Sequence, residues 1–376
     1  MHSGNKGTLS FDMRVPLFSA IIALSIFSLS VQESGVLRNI VVSCVLIFGV
    51  LFSILNRSII FFRGIYFSYL LSVFLSATMY LILSYFLGES VQASKLIFLF
   101  VTAVVALVLY EDGGVYSKRY HSILRVVVYF LLFGYLFFNI GVENYFDGSR
   151  NTWSFVFVPL FGVLFFLHHL HGQKFSFILV CAVFALCVIT QGRSGILSGF
   201  LMLLAYWFNL VGSDSSIIRR FSFFSVSVAM FFTAICFFAL NGYFDYFATK
   251  GLGGSHRQAI IFNYIGSLDF VTFFSGLELV PGSFFEEYSF NLHNSFLYFH
   301  ARFGFLAIFF GFLILFSLIK ELFLGKLYLF LVMVSIVFRF STDSGWEFNL
   351  IALHMIALHG LKSLAIDNKS FSANLK

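Results

Sequence analysis

Charge is scarce in this sequence: of 376 residues only 11% are Asp, Glu, Lys or Arg, while 60% are hydrophobic and the mean hydropathy is +0.95. A chain this poor in polar side chains cannot cover a soluble fold. Nor does it stay disordered, because disordered chains are those with too little apolar surface to collapse. Three prolines and 29 glycines exclude fibrous and linker-like architectures. Cysteine is limited to Cys44, Cys181, Cys187 and Cys236, all inside apolar runs without CxxC spacing, so neither a zinc site nor a disulfide framework is supported. Missing as well are a P-loop, an HExxH, a DxD pair and a GxSxG, which removes the signatures of nucleotide hydrolysis, zinc proteolysis, nucleotide-sugar transfer and serine hydrolysis. No internal repeat is visible, and inverted-repeat transporters lose their support with it.

What the sequence has is phenylalanine, 57 of them, and long apolar runs. Crossing a hydrocarbon core of about 30 Å takes roughly 20 apolar residues, and in lipid each backbone group must bond within its own segment, so the fold class is all-α and polytopic. Twelve spans are expected, at about 15–31, 39–55, 65–87, 95–110, 123–140, 153–168, 175–191, 195–212, 221–240, 295–319, 326–340 and 346–365. The first reads as an uncleaved span, since no A-x-A-like site follows it. With the N-terminus inside, the inner connections hold fifteen Lys and Arg, including Lys118, Arg119, Arg219, Arg220 and Lys326, and the outer ones hold seven. That asymmetry predicts a multi-pass inner-membrane protein with both termini cytoplasmic. The formal net charge of +6 then reflects topology and gives no reason to expect nucleic acid as a partner.

The chain reads as one domain, 1–376, with a single long outer loop at 241–293, long enough to be functional or separately folded. Within it Ser255 is an expected N-cap for a helix over 256–265, where apolar residues recur at helical spacing, lying on the membrane surface. That helix would open with His256 and Arg257 beside free backbone N–H groups, an arrangement suited to an anion; the alternative is a solvated interfacial arginine. Further on come Glu286 and Glu287, then His293-Asn294 at the mouth of the tenth expected span. Three more arginines occupy unusual positions. Arg193 sits in the short outer turn Gly192-Arg193-Ser194-Gly195, Arg339 ends the eleventh span, and Arg302 falls about two turns into the tenth. Charge at membrane depth costs several kcal/mol unless paired or hydrated, so Arg302 is expected to face a site or to pair with Asp343 or Glu347. Interfacial snorkelling is the alternative for Arg193 and Arg339. If the arginines converge, a diphosphate is the natural ligand, because guanidinium forks match phosphate oxygens bidentately.

In order, spacing and sidedness, the Gly192-Arg193-Ser194-Gly195 turn, Arg257 opening a helix in a late outer loop, and His293-Asn294-Ser295-Phe296-Leu297 with Gly304 downstream resemble the O-antigen ligase and Wzy-type O-antigen polymerase superfamily. The likeness covers about residues 185–345, and departs from the family where the turn more often reads Ser-Arg-Gly. The resemblance implies a membrane-embedded, GT-C-like, inverting glycosyltransferase working at the periplasmic face without metal or other cofactor. Its donor would be a glycan on undecaprenyl diphosphate. Arg193 and Arg257 would stabilise the departing diphosphate, with Arg302 and Arg339 helping to bind it. His293 would take the acceptor proton or, alternatively, close the loop or contact phosphate. His256, Asn294, Glu286 and Glu287 complete the expected substrate-binding set, and a chain-length regulator is an expected partner. Polymerase is preferred over ligase on the acids and aromatics of Phe284–Tyr288; a lipid-linked oligosaccharide flippase is the reading from another class.

Overall fold

The computed structural model describes residues 35–55, 64–87, 93–138, 152–172, 176–190, 192–211, 256–288, 292–342 and 350–362, with scattered positions in 14–21 and 222–233. Most of the expected span 15–31 and half of the expected span 221–240 lie outside the described residues, as do Ser255, Asp343 and Glu347. Every regular element among the described residues is helical. In chain order they are α1 (Gly35–Leu55), α2 (Gly64–Leu87), α3 (Ala93–Phe138), α4 (Thr152–Leu170), α5 (Phe177–Ile189), α6 (Arg193–Val211), α7 (His256–Gly266), α8 (Phe270–Ser275), α9 (Ser295–Phe303), α10 (Phe305–Phe323) and α11 (Leu327–Ser341). A short 3₁₀ segment, Phe284–Tyr288, precedes α9, and α12 (Leu350–Lys362) ends the described chain. Two segments, Ser194–Val211 of α6 and Phe305–Phe323 of α10, are long and apolar enough to cross a membrane, and shorter apolar helices stand beside them.

The core is organised around α12, whose residues 351–360 are all buried. Its two histidines are hydrogen-bonded within the bundle: Tyr69 OH lies 2.7 Å from His354 Nδ1, and His359 reaches both Tyr110 OH (3.1 Å) and Glu321 Oε1 (3.0 Å). Polar groups this deep need partners, because an unpaired one costs roughly 1–3 kcal/mol. Beside it, α11 packs on α6, α4 and α10.

In three places the helices differ from the expected spans. The spans expected at 95–110 and 123–140 form one continuous helix, α3, of 46 residues. At a rise of 1.5 Å it is about 69 Å long, more than twice a hydrocarbon core. Gly113 and Gly114 each cost about 1 kcal/mol in a helix interior. Contacts on either side offset this: Tyr110 with His359, Glu111 with Lys362 (3.8 Å), and Tyr120 OH donating to Leu160 O (3.0 Å). The described helices therefore give these two expected spans as one helix. The tenth expected span is cut in two at Gly304, whose φ of 46° ends α9 and starts α10. Lastly, the long loop expected at 241–293 contains a second helix, α8, held by a capping box in which Asp269 accepts from Thr272 N (2.7 Å) and Thr272 Oγ1 accepts from Asp269 N (2.8 Å). Both Thr272 groups hold the exposed Asp269 carboxyl below the ordinary carboxylate value.

Candidate functional site

At one end of the bundle α11 finishes on Arg339, which is 0% exposed. Its Nε donates to Ser154 Oγ (3.2 Å) on α4, and its Nη1 donates to Ser194 Oγ (3.0 Å) on α6 and Thr342 Oγ1 (3.0 Å). The guanidinium also lies 5.4 Å from the centre of the Phe155 ring. Gly195 makes this convergence possible: a Cβ there would collide with the Ser154 side chain. Gly192 O accepts the first helical bond of α6, from Ile196 N (2.9 Å), so Arg193 opens that helix at its positive end. The Arg193 side chain itself lies outside the described residues.

The first turn of α9 meets the same end. Phe296 lies 5.2 Å, ring to ring, from Phe340, and Phe155 lies 6.1 Å from Phe340 on the other side. Asn294 caps α9, its Oδ1 accepting from Phe296 N (2.9 Å) and Leu297 N (3.1 Å). Just before it, His293 is held at φ 47° and is half-buried. A non-glycine residue in this region costs of order 1–3 kcal/mol and persists only where its surroundings impose it. Such strain is commonest at functional sites.

The outer-loop helices dock on α9 through a small core of their own, Ile260, Tyr264, Phe285 and Leu292. Arg257, half-buried, shares its helix face with Ile260 and Tyr264, at positions i, i+3 and i+7. Tyr264 OH lies 2.8 Å from His300 Nδ1, and His300 Nε2 lies 2.9 Å from Phe273 O. Since a carbonyl only accepts, Nε2 carries the proton and Nδ1 accepts from the tyrosine. Burial lowers the pKa of His300 below the ordinary histidine value. α9, which bears it, precedes the span Phe305–Phe323.

Against the sequence expectations, the structure gathers Arg339, the Gly192–Gly195 turn and the His293–Asn294 entry at one end, and sets Arg257 on a helix packed against α9. It does not join the four arginines through any described contact. Arg302 lies on α9, three residues before α10, and its guanidinium sits 5.3 Å from the Tyr298 ring centre. Among the described residues Arg302 has no carboxylate partner. Arg339 is held by hydroxyls rather than exposed at the interface. Glu286 accepts from Gly282 N and so closes the Pro281–Gly282 turn, while Glu287 is exposed. The His256 side chain lies outside the described residues.

Sequence reasoning missed Ser154, Phe155 and the Tyr264–His300–Phe273 chain. Nothing local marks a lone serine early in an apolar helix. Thr342, three residues after Arg339, was findable from helical spacing. The opposite end of the bundle carries its own polar group, with Glu321 bonded to His359 and 3.8 Å from Lys326, and Tyr328 OH 2.9 Å from His169 Nδ1. Among the described residues no three His, Cys, Asp or Glu side chains converge as a metal site. Comparison with protein-family models, curated proteins and solved structures finds no match to this chain.

Proposed function

We propose that the protein is a membrane-embedded glycosyltransferase, an O-antigen polymerase acting on undecaprenyl-diphosphate-linked glycans at the periplasmic face of the inner membrane. The observation that carries the reading is the gathering, at one end, of the Gly192–Gly195 turn, Arg339 and the strained His293 entry. In this reading an acceptor hydroxyl attacks the anomeric carbon of the donor glycan from the face opposite the diphosphate. The new C–O bond forms as the bond to the diphosphate oxygen breaks, and the electron pair leaves on the diphosphate. Arg193 and Arg257 stabilise that charge, and His293 accepts the hydroxyl proton, steps typically worth several kcal/mol and roughly 10²–10⁴-fold respectively. Arg302, beside Tyr298, is near enough to the docked loop to help hold the substrate, and Arg339 holds the Arg193 turn in place.

The test is the lipopolysaccharide profile of a strain lacking the protein. Core bearing a single repeat unit supports the polymerase. Bare core, with long polymer retained on undecaprenyl diphosphate, assigns the ligase reaction instead. An unchanged ladder removes both and turns the reading to other surface glycans or to a transporter.

A further inference from the structure

The outer-loop helices leave large apolar side chains uncovered. On α7 these are Phe262 (73% exposed) and Ile265 (57%), and on α8 Phe270 (81%), Val271 and Phe273. Polar residues usually occupy such a surface in water, and contiguous exposed apolar groups mark a contact with something else. The depth of α8 is set by its contacts with the spans. It packs on α2 and α10. The Phe274 ring lies 6.0 Å from that of Phe305, the first residue of α10. Backbone crosses backbone here: a Cβ on Gly304 would collide with the Phe274 carbonyl, and one on Gly276 with the carbonyls of His300 and Ala301. α8 is therefore wedged level with the point where α10 begins, and the two helices it packs on also leave apolar side chains exposed, Phe67, Leu71 and Phe74 on α2 and Phe312 and Leu315 on α10. Charge is segregated to match. Asp269 caps the N-terminus of α8, and Glu278, Glu286 and Glu287 are exposed on the segment that follows.

We infer that α8, with the Phe262–Ile265 edge of α7, is an interfacial wedge whose occupant is the acyl-chain region of the outer bilayer leaflet. An amphipathic helix of this kind sits with its apolar face buried about 5–10 Å into the boundary between headgroups and chains. Phe270, Phe262 and Ile265 enter the chains, and Glu278, Glu286 and Glu287 stay in water. The contact fixes the height of Arg257 and Tyr264 above the bilayer, and it stands whether or not the proposed reaction is the right one.

The test uses the full chain in phosphatidylcholine proteoliposomes, with Phe270→Trp and Phe262→Trp compared against Glu278→Trp as a water-side reference. Emission of the wild-type protein, with its three tryptophans, is subtracted. Chain-brominated phosphatidylcholine should cut the added emission of Phe270→Trp to about half, leave Glu278→Trp unchanged, and leave acrylamide quenching of Phe270→Trp weak. Strong acrylamide quenching without bromolipid quenching in both phenylalanine variants would place the face in water and overturn the inference. Insensitivity to both quenchers would also overturn it, because the face would then be covered by protein, such as a second copy of this chain.

Discussion

Replacing Arg339 separates two roles that the sequence could not distinguish: a ligand for phosphate, or a staple inside the bundle. The side chain is 0% exposed and bonds Ser154, Ser194 and Thr342, so Arg339→Ala breaks three hydrogen bonds and takes this partner from the buried Ser154 hydroxyl and the half-buried Ser194 and Thr342 hydroxyls. Hydrogen bonds between membrane helices average about 0.6 kcal/mol and reach about 1.7, which puts the two that run to other helices, to Ser154 and Ser194, at roughly 1–3 kcal/mol. For a chain of this size each kcal/mol moves Tm by about 2–4 °C at most, so a fall of roughly 3–10 °C is expected. The assay is thermal unfolding in detergent, read as the added signal of a thiol-reactive dye when Cys187, 1% exposed in the folded bundle, is uncovered. Arg339→Lys should recover only part of the loss, since one ammonium cannot present the guanidinium fork to Ser154 and Ser194 together. If Arg339→Ala melts within a degree or two of the wild type, the staple is refuted, and a stable but inactive variant would restore the phosphate-binding role.

Other perturbations address the loop and its junction. Gly304→Ala places a side chain at φ 46° against the Phe274 carbonyl, and should cost more than the roughly 1 kcal/mol usual for left-handed alanine, seen as faster proteolysis between α8 and α9. Asn294→Ala removes the cap of α9 and should destabilise the protein by about 1 kcal/mol, with Asn294→Ser or Asn294→Asp largely restoring Tm. The Tyr264–His300 bond requires a neutral imidazole, and burial favours that form, so docking of α7 is complete above the ordinary histidine value of about 6.5 and is lost as pH falls through the lowered folded value. Proteolysis within 266–270 should therefore accelerate on acidification from neutral pH, and because burial is the cause, Tyr264→Phe should weaken docking at every pH and keep most of that dependence.

Much of the bundle is readable from hydropathy alone. The expected spans at 39–55, 65–87, 153–168, 195–212 and 326–340 correspond to α1, α2, α4, α6 and α11, because a run of apolar residues in lipid has no alternative to closing its own hydrogen bonds. Where hydropathy misled, a glycine inside or beside an apolar run was the cause. Gly304 looks like any residue of a span, yet its positive φ splits the helix and moves Arg302 out of it. Gly113 and Gly114 look like a turn, yet tertiary contacts carry the helix through them. At the site, the helix opening at His256 and the Asn294 entry were legible from local spacing. The Arg339 staple was not, because Ser154 and Ser194 come from helices far apart in sequence and only packing brings them to one guanidinium. α8 was hidden for a related reason: its capping box spans four residues, too short a segment for periodicity to register.

The central claim is that arginines at one end of this bundle stabilise a diphosphate as it leaves. Its most direct test is the surface lipopolysaccharide ladder of a deletion strain complemented with Arg257→Ala or Arg257→Lys, alongside the same pair at Arg193, with membrane levels of each protein measured in parallel. Both alanine variants should reach the membrane at wild-type levels and yield only core with a single repeat unit, and the lysines should restore little because they lack the bidentate fork. A full ladder from either alanine variant at normal membrane levels would contradict the role assigned to that arginine, and a full ladder from both would contradict the account.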